Sequence, residues 1–289
     1  MLANIFVNTL IHASVYALLA LGFSLTFGVA RIINLTHTAF YMLAAYLIFT
    51  FVGTLGLNSA LAILLSIVLV TIIGMLSYKV IIEPLHEHDT TVLIVTIALA
   101  LAFQEVMLIL FGGHFRGVPS LVKGFVTFLG VRVTNQYLVV IAVLSVILVL
   151  VWLLLLKTRL GLAIRVTAQD REVANLMGIN VSLMSMVTMG LATMLAATAG
   201  ALVAPIFILE PRMWLQPLTI VLAIVVLGGL GSLKGSVYGA IIIALVETLV
   251  VFLVPMGSFL RGAVSLAIMI IILIIRPEGL FGVSFEGER

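Results

Sequence analysis

The sequence predicts an all-α polytopic membrane protein, and three observations carry that reading. Hydrophobic residues make up 64% of the 289 positions and charged ones only 9%, with a mean hydropathy of +1.39. Soluble domains carry about 25% charged residues. The chain is a series of apolar runs with short polar breaks, and a spanning helix needs roughly 20 mostly apolar residues. The runs are apolar all round, which excludes a β-barrel, whose strands alternate apolar and polar. About 8–10 transmembrane helices are expected, in a single transmembrane domain covering residues 1–289. Broken or re-entrant helices are expected near 28–38 and 228–235.

The first run, residues 5–27, ends at Gly28 and Arg31. No A-x-A-like cleavage site follows it, so it is expected to remain a permanent span. Asn34, Thr36, His37 and Thr38 then interrupt the hydrophobicity before residues 39–52 resume it. That second run is short for a span. Residues 28–38 are therefore either a plain turn or an unwound break between half-helices inside the bundle. A third span, 58–78, is closed by Lys79, and a fourth covers 91–111. Between them, 82–90 holds Glu83, Pro84, His86, Glu87, His88 and Asp89.

Residues 112–136 form a polar, glycine-punctuated loop with β-branched alternation near 125–133, which suggests a small hairpin. Residues 137–156 span again and lead into the polar interval 157–182. The next span, 183–204, is broken by Pro205 and then by Glu210, Pro211, Arg212 and Pro217. Residues 218–227 run into Gly228-Gly229-Leu230-Gly231, and 236–254 and 259–275 complete the bundle.

Parity along this series places Arg31, Lys79, Lys157, Arg159, Arg165, Arg171, Lys234, Arg276 and Arg289 on one side. Arg116, Lys123, Arg132, Arg212 and Arg261 fall on the other. The positive-inside rule makes the first side cytoplasmic, with the N-terminus outside and the C-terminus inside. The +3 net charge and pI near 9.4 reflect this retention of cations rather than nucleic-acid binding.

Within 157–182, Thr167 stands three residues before Asp170, a spacing that suits a helix N-cap with an acidic partner. Val173, Leu176 and Met177 share one helical face, and Gly178 sits where a glycine would end the helix. This short amphipathic helix either folds back on its own bundle or docks into a groove on a soluble partner. Elsewhere, Gly231, Gly235 and Gly239, and Ala192, Ala196, Gly200 and Ala204, have the small-xxx-small spacing that lets helices approach closely. Packing within this bundle is the simpler reading of both. A weak internal echo pairs Leu25–Gly28 and the run after Thr38 with Val225–Gly228 and the run after Ser236. Interrupted segments in corresponding positions point to a transport site.

Catalytic motifs are absent. Cysteine is missing altogether, so there is no thiol chemistry or cysteine metal site. No G-x-x-x-x-G-K-[ST], H-E-x-x-H or G-x-S-x-G occurs. The glycine-rich stretch at 228–235 contains Lys234 but lacks phosphate-loop spacing. His86-Glu87-His88-Asp89 reads as a solvated turn, and no metal or cofactor is expected. Polar residues inside the spans are costly and hence candidates for the translocation path: Asn34, His37, Thr38, Gln104 and Glu247. A structural hydrogen-bond role is an equal alternative for each.

The polar interval TRLGLAIRVTAQDREVANLMGINV, residues 158–181, resembles the cytoplasmic loop of permease subunits of branched-chain amino-acid ABC importers. Four more stretches agree in order: ALLALGFSLTFGVARIINLTH (17–37), MLAATAGALVA (194–204), VLGGLGSLKGSVYG (226–239) and IRPEGLFG (275–282). The pattern is closer to the high-affinity leucine-type permease than to its longer homologous partner.

This resemblance implies a multi-pass subunit of the cell membrane, the inner or plasma membrane, without its own nucleotide site. It further implies a second homologous permease, two cytoplasmic ATPase subunits and an extracytoplasmic binding protein delivering leucine, isoleucine or valine. Ala168, Gln169, Asp170, Glu172, Met177 and Gly178 would contact the ATPases, making 157–182 a cytoplasmic coupling loop. Thr36-His37-Thr38 departs from the family, which more often has a small or acidic residue after the His, and this leaves the substrate open. The same machine carrying urea or short amides, or an ion-coupled secondary carrier using Glu247, are the competing readings.

Overall fold

A computed structural model describes residues 2–85, 88–128, 131–276 and 278–281. Eleven α-helices order the described chain: α1 (Leu2–Ala30), α2 (His37–Ile48), α3 (Ser59–Ser77), α4 (Asp89–Phe111), α5 (Asn135–Lys157), α6 (Arg159–Gln169), α7 (Arg171–Leu176), α8 (Val181–Val203), α9 (Leu215–Gly228), α10 (Leu233–Leu253) and α11 (Arg261–Ile275). A π-helical turn, Phe49–Thr54, extends α2, and another, Tyr78–Ile82, extends α3. Strands β1 (Phe125–Phe128) and β2 (Val131–Thr134) pair antiparallel, Val126 opposite Val133. The hairpin expected at 125–133 is thus present, with Leu129 and Gly130 outside the described residues. Eight helices among the described residues are long and apolar enough to cross a membrane. At 14 residues α9 does not qualify, since 1.5 Å per residue makes it about 21 Å long.

α1, α2 and α8 form the core, buried over most of their length. Small side chains are what bring them together. A Cβ on Gly200 of α8 would lie 2.1 Å from the Tyr41 carbonyl oxygen of α2, and one on Gly74 of α3 would strike Thr193 of α8. Gly235 and Gly239 of α10 press on Gly228 and Ile224 of α9. Both glycine and alanine stripes therefore tighten this bundle. Gly231 is not part of a helical step, because it sits in a turn at φ +79°. Around the core, α3, α4 and α5 each turn one narrow stripe inward, that of α3 being Ala62, Ser66, Val70, Gly74 and Ser77, while α11 buries only Ser265.

Loops gather at two ends. One end holds residues 31–36, the α3–α4 connection, α6, α7 and the α9–α10 turn. The other holds the β-hairpin and residues 204–214, where Arg116 and Leu209 pair backbone to backbone. Two segments re-enter the bundle. Residues 31–36 climb back along α1 until the His37 ring Nε2 lies 3.0 Å from the Leu19 carbonyl oxygen, about 16 Å above Ala30 along the helix. On the opposite side, residues 204–214 bury Leu209 and Trp214 before α9 begins.

The packing repeats with direction reversed. α1 lies along α10 as α8 lies along α3, and α2 packs on α3 and α4 as α9 packs on α10 and α11. The repeat thus matches α1–α4 with α8–α11, an inverted arrangement. This corrects the sequence echo, which aligned the end of α1 with the end of α9. The interruption expected at 228–235 is a tight turn at the bundle's end, hydrogen-bonded by Leu280 and Phe281 to Leu227 and Gly228. The second deep break is instead at 204–214.

Candidate functional site

The amphipathic segment is built by three helix starts. Thr158 caps α6, its hydroxyl accepting from the Gly161 N–H at 3.0 Å. Gly161 is required there, because a Cβ would stand 2.2 Å from the Leu154 carbonyl oxygen where α6 folds against α5. The helix start expected at Thr167 is not there. α6 continues to Gln169, with Thr167 buried and its hydroxyl donating to the Ala163 carbonyl oxygen at 2.8 Å. The cap is Asp170, whose Oδ1 accepts from Glu172 N–H at 2.9 Å and Val173 N–H at 3.0 Å. Both residues suit a cap, but only Asp170 has an uncommitted side chain.

At the far end Gly178 adopts φ +80°. Its N–H donates to the Asn175 carbonyl oxygen and that of Ile179 to Ala174, both at 3.0 Å, the paired bonds of a Schellman termination. Asn180 then caps α8 through the Leu183 N–H at 2.9 Å.

α7 buries only Ala174. Leu176 is 88% exposed, Met177 70% and Val173 40%. Its apolar face therefore does not fold back on the bundle. Gln169, Asp170, Glu172 and Gly178 are exposed and Ala168 half-buried, so all six residues expected here share one projecting segment. Arg31 and Arg171 were not anticipated. The Arg31 Nη2 donates to the Ala168 carbonyl oxygen at 3.0 Å, and the Arg171 Nη1 to that of Ala30 at 3.5 Å. The α6–α7 junction is thus tied to the end of α1, immediately before the re-entrant residues 31–36. No sequence signal marks these bonds between residues distant in the sequence. At the same end a cavity of about 730 Å³ opens between α1, α6 and the α9–α10 turn.

The polar residues of the spans fall into three separate groups. Around the first break, Asn34 Nδ2 donates to the Met189 sulfur at 3.4 Å, and the Thr36 hydroxyl to the Thr96 carbonyl oxygen at 2.6 Å. His37 and Thr38 lie beside them, fully buried. In the second group, Trp214 Nε1–H donates to Gln104 Oε1 at 2.9 Å. In the third, Glu247 accepts from the Tyr16 hydroxyl at 2.8 Å and from the Ser265 hydroxyl. The structure does not bring these groups into one chamber. Among the described residues no cluster of three His, Cys, Asp or Glu could hold a metal; of the loop at 86–89, His86 and Glu87 lie outside the described residues.

The family described as branched-chain amino acid transport system, permease component, matches residues 5–273. The chain belongs to that family. This permease is 26% identical to the high-affinity branched-chain amino acid transport system permease protein BraD of Pseudomonas aeruginosa, covering 96% of this chain and 94% of that one. It is 25% identical to the corresponding protein LivH of Escherichia coli, over 95% and 94%. Among solved structures it is similar in fold to a chain of PsaBC from Streptococcus pneumoniae in complex with a Fab, with TM-score 0.52, 19% identity and coverage of 96% and 97%. Matches that run the length of the permease put both re-entrant breaks and the α6–α7 segment inside the shared fold.

Proposed function

We propose that this permease is the membrane subunit of an ATP-driven, binding-protein-dependent importer of leucine, isoleucine and valine, and that α6–α7 is its contact with cytoplasmic ATPases. The observation that carries the reading is the exposed Leu176–Met177 surface on a helix closed at both ends. A water-facing apolar pair of this kind fits a groove on a soluble subunit. Asp170 and Gly178 fix the helix ends, and Arg31 and Arg171 carry its displacement to α1 and the break beside His37. Nucleotide-driven movement of α7 then biases the bundle between two states in proportion to the ATPases' differential affinity for them. The greater number of basic residues at the α6–α7 end supports a cytoplasmic position for it. A second homologous permease and an extracytoplasmic binding protein complete the assembly.

The test is uptake of labelled leucine and labelled urea into proteoliposomes holding the purified assembly. ATP-dependent leucine uptake is expected, with urea excluded. Uptake by this chain alone, driven by an ion gradient, overturns the reading, as does labelling of residues 168–178 from the extracellular side.

A further inference from the structure

Two carboxylates lie well inside the spans among the described residues, and the structure treats them oppositely. Glu247 is enclosed by Tyr16 and Ser265. Glu105 is exposed on α4, about 9 Å from the Phe111 end of that helix. α4 turns Val92, Thr96, Ala100, Gln104 and Met107 inward, and the Gln104–Trp214 bond pins its rotation. Glu105, one residue on, is thereby held outward. Its Oε1 accepts from the Gln104 Nε2 at 3.3 Å, so Trp214 and Gln104 together orient the carboxylate.

Acyl chains are poor cover for a carboxylate at this depth. The same open face carries Ala98 and Ala102, small enough for another helix to come close. Among the described residues no lysine or arginine pairs with Glu105. An amino acid brings a cation of its own. Leu101 and Leu108, 45% and 39% exposed, flank the carboxylate one turn below and above, which suits a ligand with an ammonium group beside an aliphatic side chain. Resting on the importer reading above, we propose that this face of α4 lines the translocation path at the seam with the second permease. There the Glu105 carboxylate accepts a hydrogen bond from the ammonium group of the amino acid in transit.

The experiment uses the complete assembly in proteoliposomes with ATP and binding protein. Failure of the wild-type assembly to move leucine sinks the importer reading itself; working wild type isolates the role of Glu105. Glu105→Gln is then expected to raise the leucine KM roughly tenfold or more, the effect of losing a hydrogen bond to a charged group. The chain has no native cysteine, so Ala102→Cys reports water access cleanly. It should react with a water-soluble thiol reagent, more slowly with leucine present, while Leu150→Cys on the outer face of α5 stays inert. A wild-type KM in Glu105→Gln, or an Ala102→Cys as unreactive as Leu150→Cys, overturns the proposal. Should Glu105→Gln fail to assemble, the cysteine pair alone decides.

Discussion

Replacing Leu176 and Met177 together by serine separates a docking surface from a packed one. In the isolated chain these side chains are 88% and 70% exposed, so little apolar area is lost from the fold and its thermal midpoint should not move. Burying a leucine or methionine completely is worth about 1.5–3 kcal/mol. Scaled by the exposed fractions, docking recovers about 2–5 kcal/mol from the pair. At about 1.4 kcal/mol per decade, the double variant should bind the ATPase subunits some two to three orders of magnitude more weakly. The assay is a titration of purified ATPase subunits onto labelled permease, with thermal unfolding of the same samples as control. Unchanged affinity refutes the reasoning. A variant that loses thermal stability before any partner is added refutes it too, since the stripe would then belong to the bundle.

Three more outcomes follow from the geometry. Glu247→Leu leaves the buried Tyr16 hydroxyl without its acceptor, at about 1–3 kcal/mol, while the Ser265 hydroxyl can still donate to the Arg261 carbonyl oxygen at 3.1 Å; the thermal midpoint in detergent should fall, and fall less for Glu247→Gln, whereas wild-type stability in the leucine variant contradicts the buried cluster. Gly200→Leu drives a side chain into the Tyr41 carbonyl oxygen, 2.1 Å from the first added atom, and should destabilise by at least the roughly 1–3 kcal/mol typical of overpacking, seen as loss of monodisperse protein on size exclusion. Gly178→Ala meets open space and carries only the strain of φ +80°, about 1–2 kcal/mol. Faster amide exchange confined to α7 is expected, with Gly178→Asn closer to wild type.

Much of the candidate segment was legible because polar residues in an apolar chain are rare. Asp170, Gly178 and the Val173–Leu176–Met177 face declare a short capped helix, though the start slipped by three residues because Thr167 fits the same spacing. In the sequence Arg31 is only a positive charge at a loop, and its bond to Ala168, far along the chain, has no local signature. The break at 31–36 announced itself through Asn34, His37 and Thr38. The break at 204–214 showed its prolines, but the burial of Trp214 against Gln104 depends on α4 being its neighbour. Gln104 and Glu105 are adjacent and both polar; nothing in their order says which one faces the protein.

What the sequence determined alone is the solvent: runs this apolar cannot be anything but membrane spans, because only helices satisfy their own backbone groups in hydrocarbon. It also determined where the chain leaves that solvent, since its lysines, arginines and helix caps mark the edges. Which face of each helix meets protein was decided only by the tertiary structure. Lipid and protein interior are equally apolar, so a lipid-facing leucine and a buried one are written alike. The inward stripes of α3, α4 and α5, the reversed repeat and the outward turn of Glu105 exist only once the helices have packed.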